Sequence, residues 1–442
     1  MSVDPREPHR KPASQGSRID PYVGAYAARA QGMVASEVRA LFAVASRPEV
    51  VSLAGGMPNV SALPLEHIGE IVQQVVAEQG ATALQYGSAQ GDPVLREQIC
   101  EVMSLEGIDA AADDVIVTVG SQQALDLVTR VFVDPGDVVL CEAPTYVTAI
   151  NTFAAFQADI RHVGMDEDGV IPEALEETLV RLAAEGRRVK FFYTVPNFQN
   201  PAGVTLSAER RSRVQEICAR HGLLVLEDNP YGLLRYEGEP IPALRADAPD
   251  NVIYLGSFSK TLSPGFRIGW ALAPSSVRAK LVLAAESAML SHSTFNQMVV
   301  GRYLSTHPWR EQIKDFNEMY RERRDTMLTA LDSLMPAGST WTRPQGGFFV
   351  WATLPEGLDT KAMLPRAVNE RVAYVPGTGF YASDEGRRSM RLSFCYPAPE
   401  QIREGIRRLV GVIKSETSLR DTFGGVSVAS ADGGNGPTPD LP

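Results

Sequence analysis

Between residues 115 and 260 the chain alternates short apolar runs with longer stretches of helical period. "DVIVTVG" is followed by "SQQALDLVTRVF", "IRHVGMD" by "PEALEETLVRLAAEG", and "VKFFYTVP" by "SAERRSRVQEICARHG", while "DVVLCEAP", "LLVLEDN" and "NVIYLGSFSK" are further apolar runs. Runs of four to eight residues rich in Val, Ile and Leu suit strands buried on both faces, and the segments between them have the length and spacing of covering helices. The pattern predicts an α/β fold: a mostly parallel, seven-stranded-type sheet sandwiched by helices. After about residue 305 it changes to a long charged helix, "PWREQIKDFNEMYRERRDTMLTALDSLM", then "GGFFVWATL", "VAYVPG" and "SMRLSFCY", which predict a smaller α+β domain. The expected organisation is a disordered tail over 1–19, an N-terminal helix and arm over 20–55 belonging to the small domain, a large domain over 56–305, a small C-terminal domain over 306–415, and a disordered tail over 416–442.

Composition narrows the partners. The 442 residues are 44% hydrophobic and 21% charged, with a net charge of −11, so nucleic acid and anionic membrane are disfavoured as partners by like charge. No apolar run approaches the ~20 residues of a membrane span, and the first residues have no apolar leader region, so a cytoplasmic protein is expected. Cys100, Cys141, Cys218 and Cys395 lie far apart without CxxC spacing, which predicts buried free thiols and no metal site.

The candidate chemistry lies at strand ends. In "SFSKTLSPGFRIGW", Lys260 stands at or just past the end of a predicted strand, where open α/β sheets collect their ligands. Desolvation there favours a neutral amine, and a neutral amine attacks a carbonyl, so the pattern fits a Schiff base with an aldehyde cofactor. The bland alternative is a solvated lysine in a polar loop. Ser257, Ser259 and Arg267 supply hydroxyls and a guanidinium fork for a phosphate, and Gly120, Ser121 and Gln122 open a helix whose free N–H groups suit the same anion. Neither GxGxxG nor GxxxxGK[ST] follows a strand. Asp228 ends "LLVLED", where it is either a turn residue before Pro230 or a carboxylate placed for a cation such as a protonated pyridine. Asn200 in "NFQNPAG" is turn chemistry on local grounds, yet its amide and the hydroxyl of Tyr231 could both bond a ring oxygen.

Taken together, "SLAGGMPN", "LQYGSAQGDPVLRE", "VTVGSQQALDL", "EAPTY", "TVPNFQNPAGVTLS", "EDNPYG", "SFSKTLSPGFRIGW", "GGFFVW" and "MRLSF" resemble, in order, the motifs of fold-type I pyridoxal-phosphate aminotransferases of class I/II, in particular the 2-aminoadipate and kynurenine branch. The resemblance implies that Lys260 forms the Schiff base and shuttles the proton, that Asp228 partners the pyridine nitrogen, and that Asn200 and Tyr231 bond the ring oxygen. Tyr146 would stack on the ring, and Gly120, Ser121, Gln122, Ser257, Ser259 and Arg267 would hold the phosphate. Tyr86 would reach the phosphate from a neighbouring subunit, implying a homodimer with shared active sites. Arg391 would bind the substrate carboxylate, with Gly56 and Asn200 beside it. Ala202 and Asn229 depart from the family's frequent threonine and aspartate without removing a needed group.

The implied activity is transfer of an amino group from an L-amino acid to a 2-oxo acid, expected to be 2-oxoglutarate, with 2-aminoadipate-type or broad specificity. Arg39, on the expected N-terminal helix with Ser36, is either the contact for a distal substrate carboxylate or a solvated surface cation. Other enzymes on the same cofactor, a β-lyase or decarboxylase, remain alternatives. A non-catalytic sensor of the kind fused to a winged helix is less well matched, because Lys260 and Asp228 are both present and fewer than about forty residues precede the fold, short of a typical domain.

Overall fold

The computed structural model describes residues 20–31 and 47–423. Arg39 and Ser36 therefore lie outside the described residues, as do the N-terminal tail and residues 424–442 of the C-terminal one, and the expected N-terminal helix is described only over Ala28–Gln31.

Short strand β1 (Val51–Ser52) precedes the strands of the main sheet: β2 (Val115–Thr118), β3 (Val138–Ala143), β4 (Asp159–Asp166), β5 (Gly169–Val170), β6 (Val189–Thr194), β7 (Leu224–Asp228), β8 (Val252–Ser257) and β9 (Gly269–Leu272). Their order in the eight-stranded sheet is β2-β9-β8-β7-β6-β3-β4-β5. Pairing is parallel from β8 through β7, β6 and β3 to β4. Strand β9 runs antiparallel to both β2 and β8. The expected seven strands are present, and the eighth is the two-residue β5, folded back on β4 by a turn in which the Asp168 N–H donates to Asp166 Oδ1 at 2.9 Å. Strands β2, β7 (apart from its first residue) and β8 are buried throughout, as expected of a sheet covered on both faces. The run that became β9 was not singled out from the sequence, because it directly follows the polar "SPGFR" segment.

A second, antiparallel sheet is built from β10 (Thr340–Trp341), β11 (Phe349–Thr353), β13 (Val375–Pro376) and β14 (Ser389–Ser393), in the order β10-β11-β14-β13, while β12 (Val372–Ala373) pairs in parallel with β1. The helices Trp309–Leu334 and Pro399–Phe423 pack on each other, and the second also packs against β1 and β12. The last helix continues past the boundary expected at 415. Its final turns are tied down: Glu416 pairs with Arg366 at 2.6 Å, and Arg420 donates to the carbonyl of Glu356 while its stem covers Gly357. These are polar contacts, so the apolar pattern gave no sign of them.

All four cysteines are free, with Cys100 only half-buried and the other three buried. Among the described residues no group of acidic, histidine and cysteine side chains could hold a metal, and no helix is long and apolar enough to cross a membrane.

Candidate active site

Strands β2, β3, β6, β7 and β8 run in one direction, so the residues following each emerge at one edge of the sheet, and β9, running the other way, begins there. This is the carboxyl edge at which ligands of open α/β sheets bind. A cavity of about 430 Å³ lies there, and it gathers side chains from every one of these strand ends.

From the β2 end come Gly120, Ser121 and Gln122, at the start of the helix Gly120–Phe132. Gly120 sits at φ +71°, and a Cβ there would fall 2.7 Å from Arg267 Nη2, so only glycine lets the guanidinium lie against the helix N-terminus. Arg267, itself left-handed at φ 55°, is held by its Nη2 donating to the carbonyl of Val119 at 2.9 Å. Ser257 and Ser259 bond each other at 2.9 Å on the same side. Two hydroxyls, a guanidinium and the first N–H groups of a helix converge there, a donor set that suits a phosphate dianion.

Lys260 follows these serines and donates from Nζ to the carbonyl of Gly56 at 2.9 Å. Burial lowers its amine to about 8, with the positive charges of Arg391 and Arg267 acting in the same direction and Cys395 and Asp228 opposing. Asp228, buried at the end of β7, accepts from the hydroxyl of Tyr193 at 2.8 Å through Oδ2, while its buried Oδ1 has no partner. Burial pushes this carboxyl up to about 6, against the Tyr193 hydrogen bond and the Lys260 charge. No cationic side chain stands within ion-pair distance of it among the described residues. An orphaned buried oxygen of this kind calls for a cation or an N–H donor.

Tyr146, Asn200 and Tyr231 complete the walls. Asn200 is buried, and its Oδ1 accepts from Arg391 Nη1 at 2.8 Å, which leaves its Nδ2 free to donate into the cavity. Arg391, from β14, donates through Nη2 to the carbonyl of Ala54 at 2.7 Å, and its buried Nε has no partner. The guanidinium lies over Phe349 at 4.2 Å and Phe380 at 5.1 Å. Burial lowers it to about 10, so it stays charged at neutral pH, and no carboxylate neutralises it among the described residues. A buried cation between two aromatic faces with an unused N–H is suited to an entering carboxylate.

Of the residues singled out from the sequence, the fold thus brings together Gly56, Gly120, Ser121, Gln122, Tyr146, Asn200, Asp228, Tyr231, Ser257, Ser259, Lys260, Arg267 and Arg391. Tyr86 is not among them. It is 75% exposed and does not line this cavity. Sequence reasoning missed Tyr193 beneath Asp228 and the aromatic pair Phe349 and Phe380; it named Gly56 but not the part its segment plays, in which the carbonyls of Ala54, Gly56 and Met57 receive Arg391, Lys260 and Cys395. The one available signal was a tyrosine inside the otherwise apolar "VKFFYTVP". A larger cleft of about 610 Å³ lies at the opposite edge of the sheet, where Arg187 and Lys190 pair with Asp159 and Asp137 and the His221 ring bonds Glu176.

Known proteins share this arrangement of sequence and fold. The profile of the family described as Aminotransferase class I and II matches residues 48–409. The aromatic-amino-acid aminotransferase 1 of Thermococcus litoralis is 46% identical over 393 residues, covering 88% of this chain and 94% of that protein. The kynurenine aminotransferase of Pyrococcus horikoshii, solved with PMP, is 43% identical with a TM-score of 0.85, covering 88% of this chain and 97% of that one. The alpha-aminoadipate aminotransferase of Thermus thermophilus, solved with N-(5'-phosphopyridoxyl)-L-leucine, is 37% identical with a TM-score of 0.84, covering 90% and 99%.

Proposed function

Because this chain belongs to the class I and II aminotransferases and is a pyridoxal-phosphate-dependent transaminase, we propose that it moves the amino group of a broad set of L-amino acids, 2-aminoadipate and aromatic ones among them, to 2-oxoglutarate. The observation that carries the assignment of residues is the pair of unsatisfied buried groups in one cavity, Asp228 Oδ1 and Arg391 Nε. The first wants a cation or N–H donor and the second an anion. A protonated pyridine ring and an amino acid carboxylate are the complements of these two groups, so the residues present fit the cofactor and the substrate.

Bound there, pyridoxal phosphate supplies an aldehyde carbon and a ring that takes up negative charge. Ser257, Ser259, Arg267 and the N–H groups at Gly120, Ser121 and Gln122 would hold the phosphate, Asp228 the ring nitrogen, Asn200 and Tyr231 the ring oxygen, and Tyr146 the ring face. Arg391 orients the substrate by its carboxylate, between aromatic faces that exclude water from the charge pair. Lys260, with an amine near 8, is neutral often enough around neutral pH to take the α-proton of the substrate at Nζ and to give it back. The Gly56 carbonyl 2.9 Å away holds that nitrogen in place. We extend the reading to a cytoplasmic homodimer in which Tyr86 reaches the phosphate of the other subunit. Its 75% exposure supports this.

The donor class is tested by loading the protein with cofactor and adding glutamate, 2-aminoadipate, leucine, phenylalanine and kynurenine singly, without an oxo acid. Conversion of the visible band by several of them, 2-aminoadipate and the aromatic ones included, is expected. Conversion by one alone would refute breadth, release of carbon dioxide would point to a decarboxylase, and release of pyruvate, ammonia and thiol from an added cysteine S-conjugate would point to a β-lyase.

A further inference from the structure

Glu142 is a carboxylate that the chemistry above does not use. It ends β3 one residue before the loop that leads to Tyr146, it is 1% exposed, and it does not line the cavity. Its oxygens meet donors from one neighbouring segment only: Thr194 Oγ1 at 2.6 Å, the Val195 N–H at 3.2 Å and Gln199 Nε2 at 3.2 Å. All three can donate and so favour the ionised form, but burial outweighs them and pushes the carboxyl up to about 7. A buried carboxylate is no aid to stability in itself, since an apolar side chain of similar size is often as good, and its use calls for another reason.

That reason lies in what Gln199 spans. The same Nε2 donates to the carbonyl of Pro144 at 2.7 Å, and Gln199 Oε1 accepts from the Ala202 N–H at 2.8 Å. Its main chain closes the turn, with its N–H on the carbonyl of Val204 at 2.8 Å and its carbonyl accepting from Gly203 at 2.6 Å. Gln199 therefore joins the loop after β3, which carries Tyr146, to the loop after β6, which carries Asn200. Asn200 in turn accepts from Arg391. The line Glu142, Gln199, Asn200, Arg391 runs from the sheet interior to the cavity without a gap.

We propose that Glu142 is a positioning residue for the reaction: acting through Gln199, it fixes the loop that aims Asn200 at the cofactor ring and sets where Arg391 meets the substrate carboxylate. This rests on the roles assigned to Asn200 and Arg391 in the functional reading. Glu142 touches neither substrate nor cofactor. Glutamine can keep these contacts, turning its oxygen to Val195 and Gln199 and its N–H to the Thr194 hydroxyl, whereas leucine leaves all three donors without an acceptor, so the turn must shift.

The test uses Glu142→Leu, Gln199→Leu and the double variant, each loaded with pyridoxal phosphate. It reads the KM for amino and oxo acid, kcat, the pH midpoint of the visible band, and Tm. Losing a donor to the ring oxygen raises that oxygen's proton affinity, so the midpoint should rise by about half a pH unit or more. The KM for both substrates should rise about tenfold. Because both residues act on one loop, the double variant should be little worse than the worse single one. Wild-type KM and midpoint in the single variants, or a change in Tm alone, would overturn the proposal, as would full additivity. If Glu142→Leu does not fold, Gln199→Leu answers the same question through the same readouts. Failure of the wild-type protein to take up cofactor or to convert it with any amino acid would sink the functional reading instead, and so is told apart from failure of this proposal.

Discussion

At Asp228 one carboxylate oxygen rests on the hydroxyl of Tyr193 and the other meets no donor in the protein. The folded chain thus binds a proton there more tightly than the unfolded chain does, with the group raised from 3.8 to about 6. A raised carboxyl contributes stability that is complete below its unfolded value and is lost as pH rises through about 6. Above that, the ionised group burdens the protein stripped of cofactor. Asp228→Asn should accordingly raise the Tm of the stripped protein by about 2–5 °C at pH 8 and by about half as much at pH 5, while lowering turnover of the loaded protein by orders of magnitude. A lower Tm at pH 8, or equal gains at the two pH values, would contradict this account of the site. Lys260 illustrates what a sequence conceals at this scale. Its position after a strand was legible, but the Gly56 carbonyl that holds it is 204 residues away, and the Ala54 carbonyl that holds Arg391 is 337 residues away. No local pattern encodes such a pairing.

The legible features were those written in short-range code. Buried strands ending in a polar or turn residue marked Gly120, Asn200, Asp228 and Ser257 correctly as neighbours in space, because parallel strands deliver their ends to one edge. What could not be read was how the elements touch. Strand β9 begins at Gly269, where a Cβ would come 2.5 Å from the backbone of Gly120 and Ser121. This close approach seats the phosphate-binding helix start against the turn that carries Arg267. The sequence showed two glycines in separate motifs and nothing of their contact. The C-terminal helix illustrates the converse. Its last turns looked too polar to be ordered, yet Arg366, Glu356 and Gly357 give Glu416 and Arg420 partners.

Across the whole molecule, the cavity draws on both sheets: Lys260 and Asp228 come from the main sheet, and Phe349 and Arg391 from the antiparallel one. The residue left out is Tyr86, which stands exposed near Leu84, itself 75% exposed. Exposed apolar side chains of this kind suit an interaction surface, which the homodimer proposed above would give to a second copy of this chain. Sedimentation should give a dimer, and Tyr86→Ala should weaken cofactor retention while leaving the dimer intact. A fully active monomer would end the shared-site reading. The central claim is that one lysine, Lys260, carries the cofactor. Its most direct test is to load the protein with pyridoxal phosphate, reduce the imine with borohydride, digest, and locate the added mass by peptide mass spectrometry. The account predicts a single labelled peptide with the modification on Lys260. A label on another lysine, or none at all, would contradict it.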